Sequence, residues 1–197
     1  MTSKFTKIVQ ERSDSQLPIL SRDSYSWFTQ KIKEIRNPSS LAAGVMRENR
    51  PKGRFLMGGL YCFYYNPKLR EQLPYYDSFP VVIPLERYPD GFLGLNIHYL
   101  PVKYRMAFLN KLKPYATYND EDEIKRLRVT YDIISASKRF REFRPCIKKY
   151  LNNQIQSKIV AIQPNEWETA IYLPLQQFKK ATPQEVWSDS LEEMRKV

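Results

Sequence analysis

The sequence predicts an α+β fold, in which a small antiparallel sheet, open or barrel-like, is flanked by helices. Apolar and aromatic runs over about 54–100 are separated by glycine and proline turn signals, which indicates short strands. Apolar residues recur at helical spacing on both sides of this segment. A chain of 197 residues is long enough to bury one core without disulfides or metals.

Residues 1–20 are predicted to form an N-terminal arm, and residues 21–197 a single α+β domain. The arm is polar apart from one apolar cluster at its end, where we expect it to dock. A helix is predicted over 21–35, where apolar side chains repeat at helical spacing. Asn37-Pro38 ends it, because the residue before a proline avoids the α region, and a second short helix follows over 39–49.

The β-rich core is predicted over about 54–100. Residues 54–65 read as one or two strands with a bend at Gly58-Gly59. Residues 79–87 read as another strand. Pro80 and Pro84 place it at the edge of the sheet, because proline cannot donate to a central hydrogen-bond ladder.

A hairpin is predicted next, because Pro89 and Gly91 provide the backbone geometry of a tight turn before a returning strand over 92–100. A further strand at 158–163 is expected to rejoin the sheet. Thr182 and Glu185 form a capping-box pattern at the start of the final helix. Helices are also predicted over 101–112, 124–137, 145–155 and 164–173.

The charge of the chain is strongly positive and unevenly distributed. Lysine and arginine outnumber acids by 11, and most of the excess lies in 101–163. Six cations accompany one acid, Glu142, in the segment from 138 to 149. Such a field attracts phosphate backbones or acidic partners. The cations are Lys138, Arg139, Arg141, Arg144, Lys148 and Lys149.

Aromatic residues interleave with these cations, as is common where phosphates are neutralised and bases are stacked. An alternative is that Phe140, Phe143 and Tyr150 enter the core while the cations stay solvated. Lys103, Arg105, Lys125 and Arg128 would extend a basic patch only if the fold brings them to the same side. Tyr75 and Tyr76, in a proline-flanked loop, are predicted to contact a protein partner.

Catalytic chemistry finds little support in the residue types present. His98 is the only histidine, and a packed or hydrogen-bonded role is favoured over a catalytic one. Cys62 and Cys146 read as buried free thiols, which suit a reducing compartment. We expect no cofactor, no metal, no small-molecule substrate and no membrane partner. The start of the chain lacks the apolar core of a signal peptide, so a soluble intracellular product is expected.

A metal-dependent nuclease is the enzymatic alternative. Pro89-Asp90 followed by Glu123-Ile124-Lys125 satisfies the loose acid and acid-x-lysine pattern of such enzymes. That chemistry needs both carboxylates on one divalent metal. Asp90 in a solvated turn and Glu123 at a helix start explain the same residues without a metal.

Several blocks of the sequence resemble small virion structural proteins of contractile-tailed, T-even-like bacteriophages. They are SWFTQKIKEIRNPSSL, FYYNPKLREQLPYYDSFPVVIPL, DGFLGLNIHYLP and SKRFREFRPCIKKYL. The resemblance covers roughly 20–195, and the nearest type is the DNA end protector, followed by baseplate or tail-hub proteins. It implies a virion component made in the host cytoplasm.

The predicted function is therefore a non-enzymatic phage structural protein that binds the ends of the genomic DNA through a basic face. Its expected partners are other virion proteins and double-stranded DNA. The alternative is an architectural baseplate, tail-hub or neck component that makes only protein contacts.

Overall fold

The structure, a computed structural model, describes residues 3–47, 55–108 and 141–196. Within these ranges an antiparallel sheet packs against helices that precede and follow the β-rich part in the sequence. This confirms the α+β class. The helices are α1 (Lys4–Asp14), α2 (Arg22–Lys33), α3 (Ser39–Arg47), α4 (102–108), α5 (Trp167–Tyr172) and α6 (Pro183–Arg195). The helix predicted over 124–137 lies outside the described residues.

Five of the described strands form the main sheet in the order β5-β4-β3-β1-β6, and β2 pairs with β7 in a separate ribbon. The main sheet is not closed, because β5 and β6 are its two edges, so the barrel-like alternative is wrong. The strands are β1 (Leu60–Cys62), β2 (Tyr76–Asp77), β3 (Val81–Tyr88), β4 (Gly91–Asn96), β5 (Ile147–Leu151), β6 (Val160–Ile162) and β7 (Phe178–Lys179).

Strand β3 lies in the middle of the sheet, so the prediction of an edge strand is wrong. Pro80 precedes the strand, and Pro84 falls beyond the part of β3 that pairs with β1. The ladder to β4 also shifts register between Pro84 and Glu86. Since neither proline nitrogen is required to donate to a neighbouring strand, the central position is compatible with both.

The predicted hairpin is confirmed, with Tyr88 opposite Gly91 across the Pro89-Asp90 turn. Strand β4 is shorter than predicted, because the chain turns into a 3₁₀ helix at Ile97–Tyr99. The predicted strand at 158–163 is confirmed as β6, which pairs with β1.

The final helix is confirmed with its capping box. The Thr182 side chain accepts a hydrogen bond from the Glu185 amide, and the Glu185 side chain accepts one from the Thr182 amide. The helices predicted over 21–35 and 39–49 are confirmed as α2 and α3. Ser21 caps α2 by accepting from the amide of Ser24 at 3.0 Å.

The helix predicted over 145–155 is wrong. A 3₁₀ helix over Arg141–Cys146 is followed by strand β5, which pairs with β4 along its whole length. The apolar spacing of the segment suited a helix, but pairing with a strand some sixty residues earlier determines its conformation. The basic residues at 148 and 149 consequently lie on an edge strand.

Helix α1 occupies much of the predicted arm and contacts the core. Phe5 and Ile8 are buried, and the guanidinium of Arg12 lies 2.9 Å from the Glu168 carboxylate in a buried ion pair. The other oxygen of Glu168 accepts from the amide of Leu20 at 2.6 Å. The division of the chain at residue 20 stays a prediction.

The two faces of the main sheet pack against different apolar clusters. One face contributes Leu60 and Cys62 to the large core between sheet and helices, and the opposite face contributes Tyr61 and Phe63 to a smaller aromatic cluster. Both cysteines are buried free thiols. In the described part of the chain, no helix combines the length and apolarity needed to cross a bilayer.

Candidate nucleic-acid interface

Six cations between 138 and 149 were predicted to bind DNA or an acidic partner. Those that the structure describes lie on strand β5 and on the 3₁₀ helix before it. Arg144 and Lys149 are exposed, and Lys148 is half-buried. Arg141 is the first residue of the 3₁₀ helix, while Lys138 and Arg139 lie outside the described residues. Among the described strands β5 pairs with β4 alone, so these cations lie beside an edge of the sheet that no described strand covers.

The residues considered as extensions of the basic patch have different environments. Arg105 is fully buried, so it does not contribute a cation to the surface. Its guanidinium donates to the carbonyls of Leu100, His98 and Ile171 at 2.7, 3.1 and 3.2 Å. Burial lowers the pKa of Arg105 to about 10. Lys103 is exposed, and Lys125 and Arg128 lie outside the described residues.

Lys148 extends over an aromatic ring. Its Nζ lies 4.4 Å from the centroid of the Tyr99 ring, a cation–π distance. Among the described residues, no carboxylate lies within ion-pair distance of this ammonium. Burial lowers the pKa of Lys148, and the more distant charge of Glu193 opposes that shift. An anion that approached this ammonium would stabilise its charged form.

Lys149 is paired with a carboxylate. Its Nζ lies 2.7 Å from Oδ2 of Asp90 in the β3–β4 turn and 5.2 Å from the centroid of the Tyr88 ring. The hydrogen bond from Lys149 lowers the pKa of Asp90. Because both side chains are about half exposed, a phosphate from solvent can compete with Asp90 for this lysine.

The nuclease pattern gains no metal site from the described residues. Asp90 is occupied by the lysine ammonium, Glu123 lies outside the described residues, and no group of three potential ligands occurs among the residues described.

A cleft of about 260 Å³ lies beside β5 and brings the two separately predicted sets of residues together. Tyr75 and Tyr76, predicted as an interface, line it along with Lys148 and Lys149 from the basic segment. We call it the tyrosine cleft. Its other lining residues are Tyr65, Pro67, Leu73, Pro74, Asp77, Tyr99 and Tyr150.

Tyrosine side chains form both the base and the walls of the tyrosine cleft. Tyr65 and Tyr150 are buried and meet edge to face with ring centroids 4.9 Å apart. Tyr75 and Tyr76 are half-buried, so part of each side chain faces solvent. Burial and the Asp189 carboxylate on α6 raise the pKa of Tyr75 to about 12, which keeps its hydroxyl protonated.

A buried polar network underlies the tyrosine cleft. The Nδ1 atom of His98 lies 2.6 Å from Oδ2 of Asp77, and Oδ1 of Asp77 accepts from the amides of Phe79 and Gln177 at 3.0 Å each. The Asn96 side-chain amide donates both to Asp77 and to the hydroxyl of Tyr150, at 3.2 and 3.1 Å. Asp77 thus joins β2, β4 and the segment before β7.

The histidine of this network is neutral and the aspartate is ionised. Burial lowers the pKa of His98, and Asp77 opposes that shift only in part. Burial favours protonation of Asp77, but hydrogen bonds from His98 and two backbone amides lower its pKa overall. His98 therefore carries its proton on Nδ1 and donates it to Asp77. The prediction of a hydrogen-bonded rather than catalytic histidine agrees with this geometry.

Sequence reasoning did not find Asp77 or the tyrosine cleft as a unit. Asp77 is a single acid within an aromatic run, and its partner histidine is 21 residues away. An isolated acid in an apolar segment is a signal that a buried cationic or hydrogen-bonding partner exists elsewhere.

A small α+β protein with unpaired or exchangeable cations beside solvent-accessible tyrosines has the features of a nucleic-acid-binding structural protein. The family model described as phage T4 terminal DNA protecting protein matches residues 1–190. The chain belongs to this family, which confirms the resemblance to DNA end protectors and implies a virion protein. Comparisons with curated proteins and with solved structures found no match.

Proposed function

We propose that this protein is a non-enzymatic virion component that binds the ends of the double-stranded phage genome through β5 and the tyrosine cleft. The observation that carries the proposal is the convergence of Lys148 and Lys149 with Tyr75 and Tyr76 on one cleft. Membership in a family of terminal DNA protecting proteins supports DNA ends as the ligand.

The cations supply the part of the binding energy that is independent of sequence. Arg144 and Lys149 are exposed, and each can approach a backbone phosphate and release a condensed counterion. Lys149 would exchange Asp90 for phosphate, which makes its contribution smaller than that of an unpaired cation. The net charge of +11 assists the approach of any polyanion.

The aromatic residues supply a preference for ends. Inside a duplex, each base pair is covered on both faces by its neighbours, whereas the last pair leaves one face open and unpaired nucleotides leave more. Aromatic side chains stack on such faces without regard to sequence. Tyr75 and Tyr76 beside phosphate-binding lysines are therefore better suited to a terminus than to continuous duplex. A protein seated there covers the nucleotide that an exonuclease must engage first.

The proposal is tested with two duplexes of identical sequence, one with open ends and one closed by a hairpin at each end. We expect the wild-type protein to bind the open duplex at least about tenfold more tightly and to slow digestion by a double-strand exonuclease. Equal affinity for both duplexes would refute end recognition.

A matched pair of charge variants tests the surface. Arg144→Ala/Lys149→Ala removes two cations beside the cleft, and Lys33→Ala/Arg36→Ala removes two exposed cations on and just after α2. We expect only the first to weaken end binding and to reduce the slope of log affinity against log salt by about 2. Equal losses in both variants would show that net charge alone governs binding.

We propose that an acidic surface on α6 contacts other virion proteins. Asp189, Glu192 and Glu193 are exposed on α6, where their charges would repel DNA and attract a basic protein. Glu192→Gln is expected to leave DNA-end affinity unchanged and to lower the number of copies taken up by particles assembled without the protein. Unchanged uptake would argue against α6 as this contact.

A further inference from the structure

Resting on the proposed function, we infer that the tyrosine cleft accepts one unpaired nucleotide from the DNA terminus, with its base among the tyrosine rings and its phosphate beside Lys148. The protein would then distinguish a single-stranded overhang from a blunt end. This assigns a ligand class to the cleft and a separate role to each of its walls.

The dimensions of the cleft suit one nucleobase. Its volume of about 260 Å³ corresponds to roughly nine water molecules at about 30 Å³ each. A single base fits within that volume. A paired base is held inside the duplex, so a nucleotide must leave the helix to enter the cleft.

The surroundings of the cleft offer stacking surfaces more than hydrogen-bonding groups. The hydroxyls of its two buried tyrosines are already engaged, since Tyr65 accepts from the Leu151 amide at 3.2 Å and Tyr150 accepts from Asn96 at 3.1 Å. Their rings are buried in the aromatic cluster beneath the cleft, so the half-buried rings of Tyr75 and Tyr76 are the surfaces open to a base. Stacking without base-specific hydrogen bonds favours any base over a particular one.

The phosphate position follows from the charges on the two sides of the cleft. Lys148 on β5 has no ion-pair partner among the described residues, and its ammonium is held over Tyr99. On the α6 side, Asp189 acts on Tyr75 through its charge and a hydrogen bond, while the charge of Glu193 acts on both Tyr75 and Lys148. A phosphate is therefore attracted to Lys148 and Lys149 on β5 and repelled by Asp189, so the strand enters along β5.

The test compares three duplexes of the same sequence that end in a blunt end, a three-nucleotide overhang or a closed hairpin. The overhang carries 2-aminopurine as its last base, so that stacking changes its fluorescence. We expect the wild-type protein to bind the overhang about tenfold more tightly than the blunt end, a gain within the range for one stacked base.

Variants of Tyr76 separate stacking from hydrogen bonding. Tyr76→Ala is expected to lose the 2-aminopurine response and to bind overhang and blunt ends with equal affinity. Tyr76→Phe retains the ring and should retain the response and the overhang preference. Tyr25→Ala, at an exposed tyrosine on α2 outside the cleft, is the control and should change neither.

Lys148→Met gives an independent reading if Tyr76→Ala does not fold. It is expected to reduce the overhang preference several-fold and to lower the salt slope for the overhang by about 1. Equal binding of overhang and blunt ends by the wild type, both above the closed hairpin, would overturn the inference and leave the proposed function intact. Equal binding of all three duplexes would overturn both.

Discussion

Mild acid should destabilise the protein through its single histidine. His98 is fully buried and neutral in the folded chain, because burial lowers its pKa from the usual value of 6.5. Two charged groups face His98. The Asp77 carboxylate accepts from its Nδ1, and the Arg105 guanidinium donates to its backbone carbonyl. Within the described part of the chain, Nε2 of His98 has no hydrogen-bond partner, so no described group stabilises a second proton at that atom.

The sign and size of the effect follow from proton uptake by the unfolded chain. Below pH 6.5 an unfolded histidine binds a proton that buried His98 does not, so the free energy of unfolding falls as pH falls. If His98 stays neutral throughout, lowering pH from 7.0 to 5.5 removes about 1.3 kcal/mol of stability. Asp77 also has a lowered pKa, but its contribution is lost only when pH falls below the usual carboxylate range.

Urea denaturation at pH 7.0 and 5.5 measures this difference directly. His98→Gln is the control, because the chain has one histidine and the variant should show no comparable change between the two pH values. A rise in wild-type stability at pH 5.5 would mean that His98 is protonated against Asp77 in the folded protein. That result would contradict the assignment of a neutral imidazole.

Three further substitutions, and one control, have expected outcomes. Asp90→Asn should strengthen DNA-end binding several-fold, because it frees Lys149 on β5. If the protein were a metal-dependent nuclease, the same change would abolish cleavage. An affinity titration and a cleavage assay distinguish these outcomes. Gly91→Ala should lower the free energy of unfolding by about 2–3 kcal/mol, since its Cβ would overlap the carbonyl oxygen of Tyr150. Gly94→Ala, where a Cβ has more room, should cost clearly less in the same urea titration. Glu168→Gln should cost about 3 kcal/mol, because it leaves a buried guanidinium without its counter-charge; a loss below about 1 kcal/mol would contradict a buried ion pair.

Local signals in the sequence predicted the elements whose cause is local. The capping box at Thr182 and Glu185 and the turn at Pro89 to Gly91 act within a few residues, and both elements form as predicted. The tyrosines and lysines that line the cleft were likewise singled out from composition, as two separate sets. Their meeting in one cleft depends on β5 pairing with β4, which no local pattern specifies.

The elements that were missed depend on partners distant in sequence. The segment 147–151 has helical apolar spacing, but Gly91 lets the backbone of Tyr150 approach closely and pair as a strand. Helix α1 has few apolar residues, and besides Phe5 and Ile8 it buries Arg12, which pairs with Glu168. In both cases the determining contact spans more than fifty residues, which makes it invisible to a periodicity argument.

The ion pair between Arg12 and Glu168 also constrains when the chain can fold during its synthesis. Glu168 is translated 156 residues after Arg12, the residue to which it binds. Strand β1 likewise cannot pair with β6 until β6 has been synthesised. Helix α1 can pack against α3 early, but its ion pair must wait until residue 168 has emerged from the ribosome. A product truncated before residue 168 would therefore lack this ion pair and the packing of Glu168 against the first helix. Incompletely packed chains expose apolar surface and are prone to misfolding.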